Sequence, residues 1–136
     1  MKKILLLTIC LLLLAACAKK PGQLDMGSIL DREWTLEYDG DKPVIDASNV
    51  TIVFKDDGKV GGRSGCNNYT GSWKLENGKL SMGPFASTRM MCPGALMEQE
   101  TRFLQHLQQA TSLDVDKTGA LLIFVDGMDK PMLFRE

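Results

Sequence analysis

Histidine and cysteine carry much of the protein chemistry that runs near neutral pH. This chain of 136 residues holds one histidine, His106, and four cysteines, Cys10, Cys17, Cys66 and Cys92. A thiol nucleophile needs a base within reach, so Cys66 with His106 has the outline of a thiol enzyme. Cys92 is the readier partner for Cys66. A zinc site asks for about four ligands at close local spacing, and two distant cysteines with one histidine do not supply them. Cys-X-X-Cys is absent, so thioredoxin-like chemistry has no support. Gly62-Arg63-Ser64-Gly65 approaches a nucleophile elbow, but its second glycine stands one place early and the strand–turn–helix context is missing. Asp39-Gly40-Asp41 and Asp56-Asp57-Gly58 lack the ligand ladder and closing glutamate of a calcium loop and read as turns. Met82, Met90, Met91 and Met97 offer thioethers that suit Cu(I), yet no histidine flanks them, and methionine fills irregular cores for the same softness. His106 falls in a helical stretch, where an exposed or capping role suits it better than that of a base. The expectation is a non-enzyme with no catalytic residues, no metal and no cofactor.

Cys17 belongs to a different chemistry. Met1-Lys2-Lys3 opens an apolar run from Ile4 to Ala16, which ends in Leu14-Ala15-Ala16 directly before Cys17. Basic start, short apolar stretch and small residues at the cut make a secretory signal peptide. The run is shorter than the roughly 20 residues that span a bilayer. Small residues followed by cysteine resemble the lipobox of bacterial lipoproteins. That resemblance implies cleavage after residue 16 and acyl chains on Cys17. Dual acylation anchors stably, at roughly 0.8 kcal/mol per buried methylene. Ala18 stands where an aspartate would resemble an inner-membrane retention signal, so the expected location is the outer membrane, facing the periplasm. The domains are then a signal peptide over 1–16, a lipidated N-terminus and tether over 17–29, and one folded domain over 30–136.

The mature chain of about 120 residues suffices for one domain. It carries about −3 net charge once the leader lysines are gone. No clustered basic surface points to nucleic acid. Cys66 and Cys92 remain in an oxidising compartment where disulfides persist; a structural bridge is the leading reading, with a reactive thiol or a metal site as its rivals.

The elements that would position these residues are short strands. Trp34, Leu36 and Tyr38 alternate with polar residues as on a half-buried strand. Val50 to Phe54 is β-branched, Asp56-Asp57-Gly58 turns, and Asn68 to Leu75 places Tyr69, Trp73 and Leu75 on one side. Asn77-Gly78 suits a type I′ hairpin turn into Leu80-Ser81-Met82. Leu113–Val115, Leu121–Val125 and Met132–Phe134 close the chain, with Asp126-Gly127 as the last turn. One helix is expected at about 95–109. Leu96, Met97, Phe103, Leu104 and Leu107 gather on its inner face, with Glu98, Glu100, Arg102 and Gln105 mainly outward. About eight short strands with one helix predict a mainly β, small antiparallel barrel.

Gly65-Cys66-Asn67-Asn68-Tyr69 with Gly71-Ser72-Trp73, then Thr88-Arg89-Met90-Met91-Cys92, then the helical stretch, stand in the order seen in META domains. Over roughly 30–135 the chain resembles the HslJ-like branch of that family. The resemblance implies a lipocalin-like barrel with a helix, and it fits a Cys66–Cys92 bridge. It implies no enzymatic activity. It makes Gly65, Asn67, Asn68, Tyr69, Gly71, Trp73, Thr88 and Met90 structural motif residues. Members are associated with stress response, antibiotic tolerance and, in parasites, virulence. The motif reads independently as a fold device: glycines at a bulge or barrel corner, asparagines satisfying backbone where a ladder breaks, and Tyr69 and Trp73 in one core.

The functional expectation is a non-enzymatic envelope lipoprotein that binds or supports other envelope components. Its partners would be the membrane, through Cys17, and a protein of the envelope. The rival readings are a periplasmic carrier or secretin-pilot-like lipoprotein holding an acyl ligand or partner helix in the barrel, and an inhibitor of cell-wall hydrolases.

Overall fold

A computed structural model describes residues 24–136. The expected leader, Cys17 and most of the tether lie outside the described residues. A 3-10 turn at Met26–Ser28 leads into β1 (Trp34–Asp39), β2 (Lys42–Pro43), β3 (Thr51–Phe54), β4 (Lys59–Arg63), β5 (Asn68–Glu76), β6 (Lys79–Met82) and β7 (Ala86–Ser87). Helix α1 (Gly94–Gln108) follows, then β8 (Ala110–Val115), β9 (Leu121–Val125) and β10 (Met132–Arg135). The antiparallel sheet runs β6-β5-β4-β3-β1-β10-β9-β8, with β2 on β1 and β7 on β5. Its two end strands, β6 and β8, lie against each other without a backbone ladder. The sheet is thus nearly closed into a barrel. Eight strands lie on the path; the two-residue β2 and β7 were not foreseen.

Turn chemistry sets the hairpins. Asn77 and Gly78 both take positive φ, 51° and 78°, as a type I′ turn demands. Inward alternation along the strands buries Trp34, Leu36, Ile52, Phe54, Val60, Tyr69, Leu80, Ile123 and Phe134. Helix α1 adds Phe103 and Leu107, both fully buried in that core. The barrel has two ends. β1 starts at the lower one, where Leu30 bridges Phe54, and finishes at the upper one, where the helix sits.

Two expectations need correction. Leu36 pairs with Phe134 and Tyr38 with Leu133, so β1 carries one extra residue, Glu37, against β10. This bulge inverts the inside–outside phase beyond it. Tyr38, expected inward, is 47% exposed, and Asp39 is buried instead. The outer face assigned to the helix is also wrong in part: Glu100 is buried, as is its neighbour Gln99, and Arg102 is half-buried. Both departures build the upper end of the barrel.

Candidate functional site

The polar residues on the inner rim of α1 fasten three segments of the upper end. Glu100 is the hub. Its Oε2 accepts from Ser64 Oγ at 2.6 Å and from the Asn67 backbone N–H at 2.8 Å. Its Oε1 accepts from Asn67 Nδ2 at 2.8 Å. Ser64, Asn67 and Glu100 are all buried, and a buried carboxylate is tolerable only when so satisfied. Asn67 passes the connection on, since its Oδ1 accepts from the Met90 N–H at 2.7 Å and from Thr88 Oγ1 at 2.9 Å. Ser64, which brushed against an elbow motif, is therefore a structural donor.

The motif residues fall around this hub. Cys66 and Cys92 are joined as a disulfide, tying the turn before β5 to the segment entering α1. Gly65 takes φ +108°, a conformation side chains rarely adopt. A Cβ at Gly71 would come within 2.5 Å of the Phe85 ring, so this glycine makes room for an aromatic. Tyr69 donates its hydroxyl to Thr51 O at 2.9 Å and meets Phe85 and Phe103 edge to face. Burial pushes the phenol's pKa well up, keeping it a donor. Trp73 bonds Lys55 O and stands edge-on to Phe54 nearer the lower end. Asn68 differs from expectation: its side chain is exposed, and only its backbone engages Thr88. Met90 likewise serves through its backbone and exposes its side chain.

Gln99, one residue before the hub, holds the segment between β2 and β3. Its Oε1 accepts from the Ile45 N–H at 2.8 Å, and its Nε2 donates to Ser48 Oγ at 2.9 Å. On the next turn of the helix, Arg102 Nε donates to Asp39 Oδ2 at 2.9 Å, and His106 Nδ1 meets Asp39 Oδ1 at 2.6 Å. The Asp39 side chain is only 1% exposed. Since a carboxylate only accepts, His106 carries a proton on Nδ1, which leaves Nε2 outward. His106 is thus neither a free surface residue nor a cap. These three side chains form one wall of a cleft of about 460 Å³, with Gly40, Asp41, Lys42 and the 127–130 turn completing it.

The cleft holds no hydroxyl or thiol side chain that Asp39 and His106 could activate. Among the described residues, no group of three or more His, Cys, Asp or Glu is placed to hold a metal ion. No helix of the described residues is long and apolar enough to cross a membrane. Sequence reasoning missed Gln99, Glu100, Asp39 and Arg102. For Gln99 and Glu100 an available signal was their place four and three residues before the apolar Phe103 on the helix.

A nearly closed antiparallel barrel, capped by one helix whose polar rim pins a disulfide-bearing motif loop, defines the structural class. Residues 27–136 match the family model of the META domain, and the chain belongs to that family. No curated protein matches it. Among solved structures, an NMR structure of a protein is 24% identical with a TM-score of 0.65, covering 83% of this chain and 95% of that one. An NMR structure of a protein from Burkholderia xenovorans is 25% identical with a TM-score of 0.64, over 88% of this chain and 92% of that one. A crystal structure of a DUF4847 family protein from Bacteroides vulgatus ATCC 8482 is 15% identical with a TM-score of 0.57, covering 80% and 94%.

Proposed function

We propose that this META protein is a non-enzymatic lipoprotein of the cell envelope that engages an envelope partner through its helix-capped end. The observation that carries this reading is the filled interior. Phe103 and Leu107 reach from the helix into the barrel core among Tyr69 and other buried side chains. Barrels of about eight strands can be filled by side chains or hold one small ligand; packing of this kind favours the filled form and therefore a surface role.

The anchor gives the molecule an orientation. Leu24 and Met26 share a groove with Asn77 and Gly78 of the β5–β6 turn, near the lower end. Residues 17–23 span at most about 25 Å when extended. Acylation at Cys17 therefore holds the lower end near the bilayer and points the upper end away from it. Envelope stress response or antibiotic tolerance is the proposed physiological setting, and the outer membrane the proposed location.

Intact-mass analysis of protein from its own host tests the anchor: acyl chains on Cys17 are expected, and an unmodified start overturns it. Photo-crosslinkers at Thr101 and Gln105, both exposed on the helix, test the surface role against a control at Asn77 below. Capture of the same envelope protein from both helix positions and not from Asn77 is the expected result. Native mass spectrometry of delipidated protein separates the carrier, because recurrent co-purifying lipid would replace the surface reading.

A further inference from the structure

The half-buried floor of the upper cleft carries donors with nothing to bind. Asp39 takes Nε of Arg102 and Nδ1 of His106. The N–H groups on the two terminal nitrogens of Arg102 have no partner among the described residues, and neither has Nε2 of His106, which donates only when the ring carries a second proton. A guanidinium held at Nε by a buried carboxylate is pre-oriented, and its free nitrogens match the spacing of two oxygens on one anion. We propose that this cleft is a binding site for a single small oxyanion group, a carboxylate or a phosphate, seated on the free nitrogens of Arg102. The proposal deepens the surface reading and rests on it only for which end of the barrel meets ligands.

Charge balance defines the ligand further. The β1–β2 turn brings Asp41 and Lys42 to the rim, and the β9–β10 turn brings Asp129 and Lys130. Two acids and two bases make the rim neutral, which disfavours an extended polyanion and suits one isolated group. At the floor, Asp39 offsets Arg102. Recognition therefore rests on the directed N–H groups of the guanidinium and not on net charge. The bulge at Glu37 supports a built site, since it is what turns Asp39 inward, and bulges often re-aim a side chain beside a site.

The test is titration of the folded domain with acetate and with sulfate, followed by backbone amide NMR shifts. Expected are saturable shifts confined to residues 39–42, 102–106 and 127–130. Arg102→Gln should weaken binding about tenfold, the weight of a charge-assisted contact. Lys130→Gln, whose side chain has no ion-pair or hydrogen-bond partner among the described residues, leaves the packing intact and should weaken it about twofold. Preference for acetate identifies a carboxylate ligand, and preference for sulfate a tetrahedral one such as phosphate. Shifts scattered over surface lysines, or binding equal in wild type, Arg102→Gln and Lys130→Gln, would overturn the site. Helix crosslinks to a protein partner do not depend on the ion, so the two readings fail separately.

Discussion

Glu100 is a carboxylate taken out of water, and its three hydrogen bonds account for why Ser64 and Asn67 are the residues they are. Removing the acceptor leaves buried donors facing nothing, at about 1–3 kcal/mol for such a loss. Glu100→Ala should therefore lower unfolding free energy by about 3 kcal/mol, whereas Glu98→Ala, exposed on the same helix, should stay within about 0.5 kcal/mol. Urea denaturation of both variants checks this; equal effects would remove the hub. Tyr69 permits a sharper test because its phenol titrates. Burial raises its pKa above the ordinary 10.0, so the fold holds this proton more tightly than the unfolded chain does. Its stabilisation is intact below pH 10 and drains as pH rises beyond, by about 1.4 kcal/mol per pH unit. Tyr69→Phe should cost about 1 kcal/mol at neutral pH through the lost bond to Thr51. By about pH 11 the wild type has given up a similar amount, so the two denaturation midpoints should meet. A gap unchanged at high pH would mean that the phenol is not sealed from solvent.

At the scale of elements, β1 shows what one extra residue does. The Glu37 side chain is itself exposed and, among the described residues, pairs only with Arg135, an interaction worth little. Its position matters because it inverts the faces of Tyr38 and Asp39. Deleting Glu37 restores regular alternation, which sends Tyr38 inward and Asp39 to solvent. The expected outcome is loss of the hydrogen-bonded His106 Nδ1–H signal in imidazole NMR, together with faster amide exchange in the second half of α1. Glu37→Ala keeps the bulge and should keep the signal. The bulge also marks the limit of what the sequence discloses. The Asn77-Gly78 hairpin, the β5 face and the helix within one residue at each end were legible, because turn dihedrals and apolar periods are local. The phase of β1 was not, since alternation continues on paper through Tyr38 and the extra residue exists only relative to β10. Glu100 was misplaced, and Gln99 left unassigned, for a related reason. Helical periodicity ranks residues by polarity, while their burial depends on donors that fold onto the helix from the segments before β3 and β5.

For the whole molecule, the question is what keeps a helix seated on the mouth of a barrel that is not sealed by backbone bonds between β6 and β8. Apolar packing through Phe103 and Leu107 supplies most of it, and truncating Phe103 should cost about 3–5 kcal/mol. The stretch from Thr88 to Pro93 contributes no strand of its own. It is held by the Asn67 amide and by the Cys66–Cys92 bond, 26 residues apart in sequence. A cross-link of that span stabilises by about 3–4 kcal/mol in the chain-entropy model, comparable to the aromatic plug. The two act on different states: the plug favours the native fold, and the bond restricts the unfolded chain. Cys66→Ala with Cys92→Ala should therefore lower the urea midpoint while raising the m-value, since an uncross-linked chain exposes more surface on unfolding. Phe103→Ala should lower the midpoint with the m-value unchanged. If the double cysteine variant unfolds at the wild-type midpoint, the Asn67–Glu100 network alone holds the motif loop, and the bond has no part in keeping the upper end assembled.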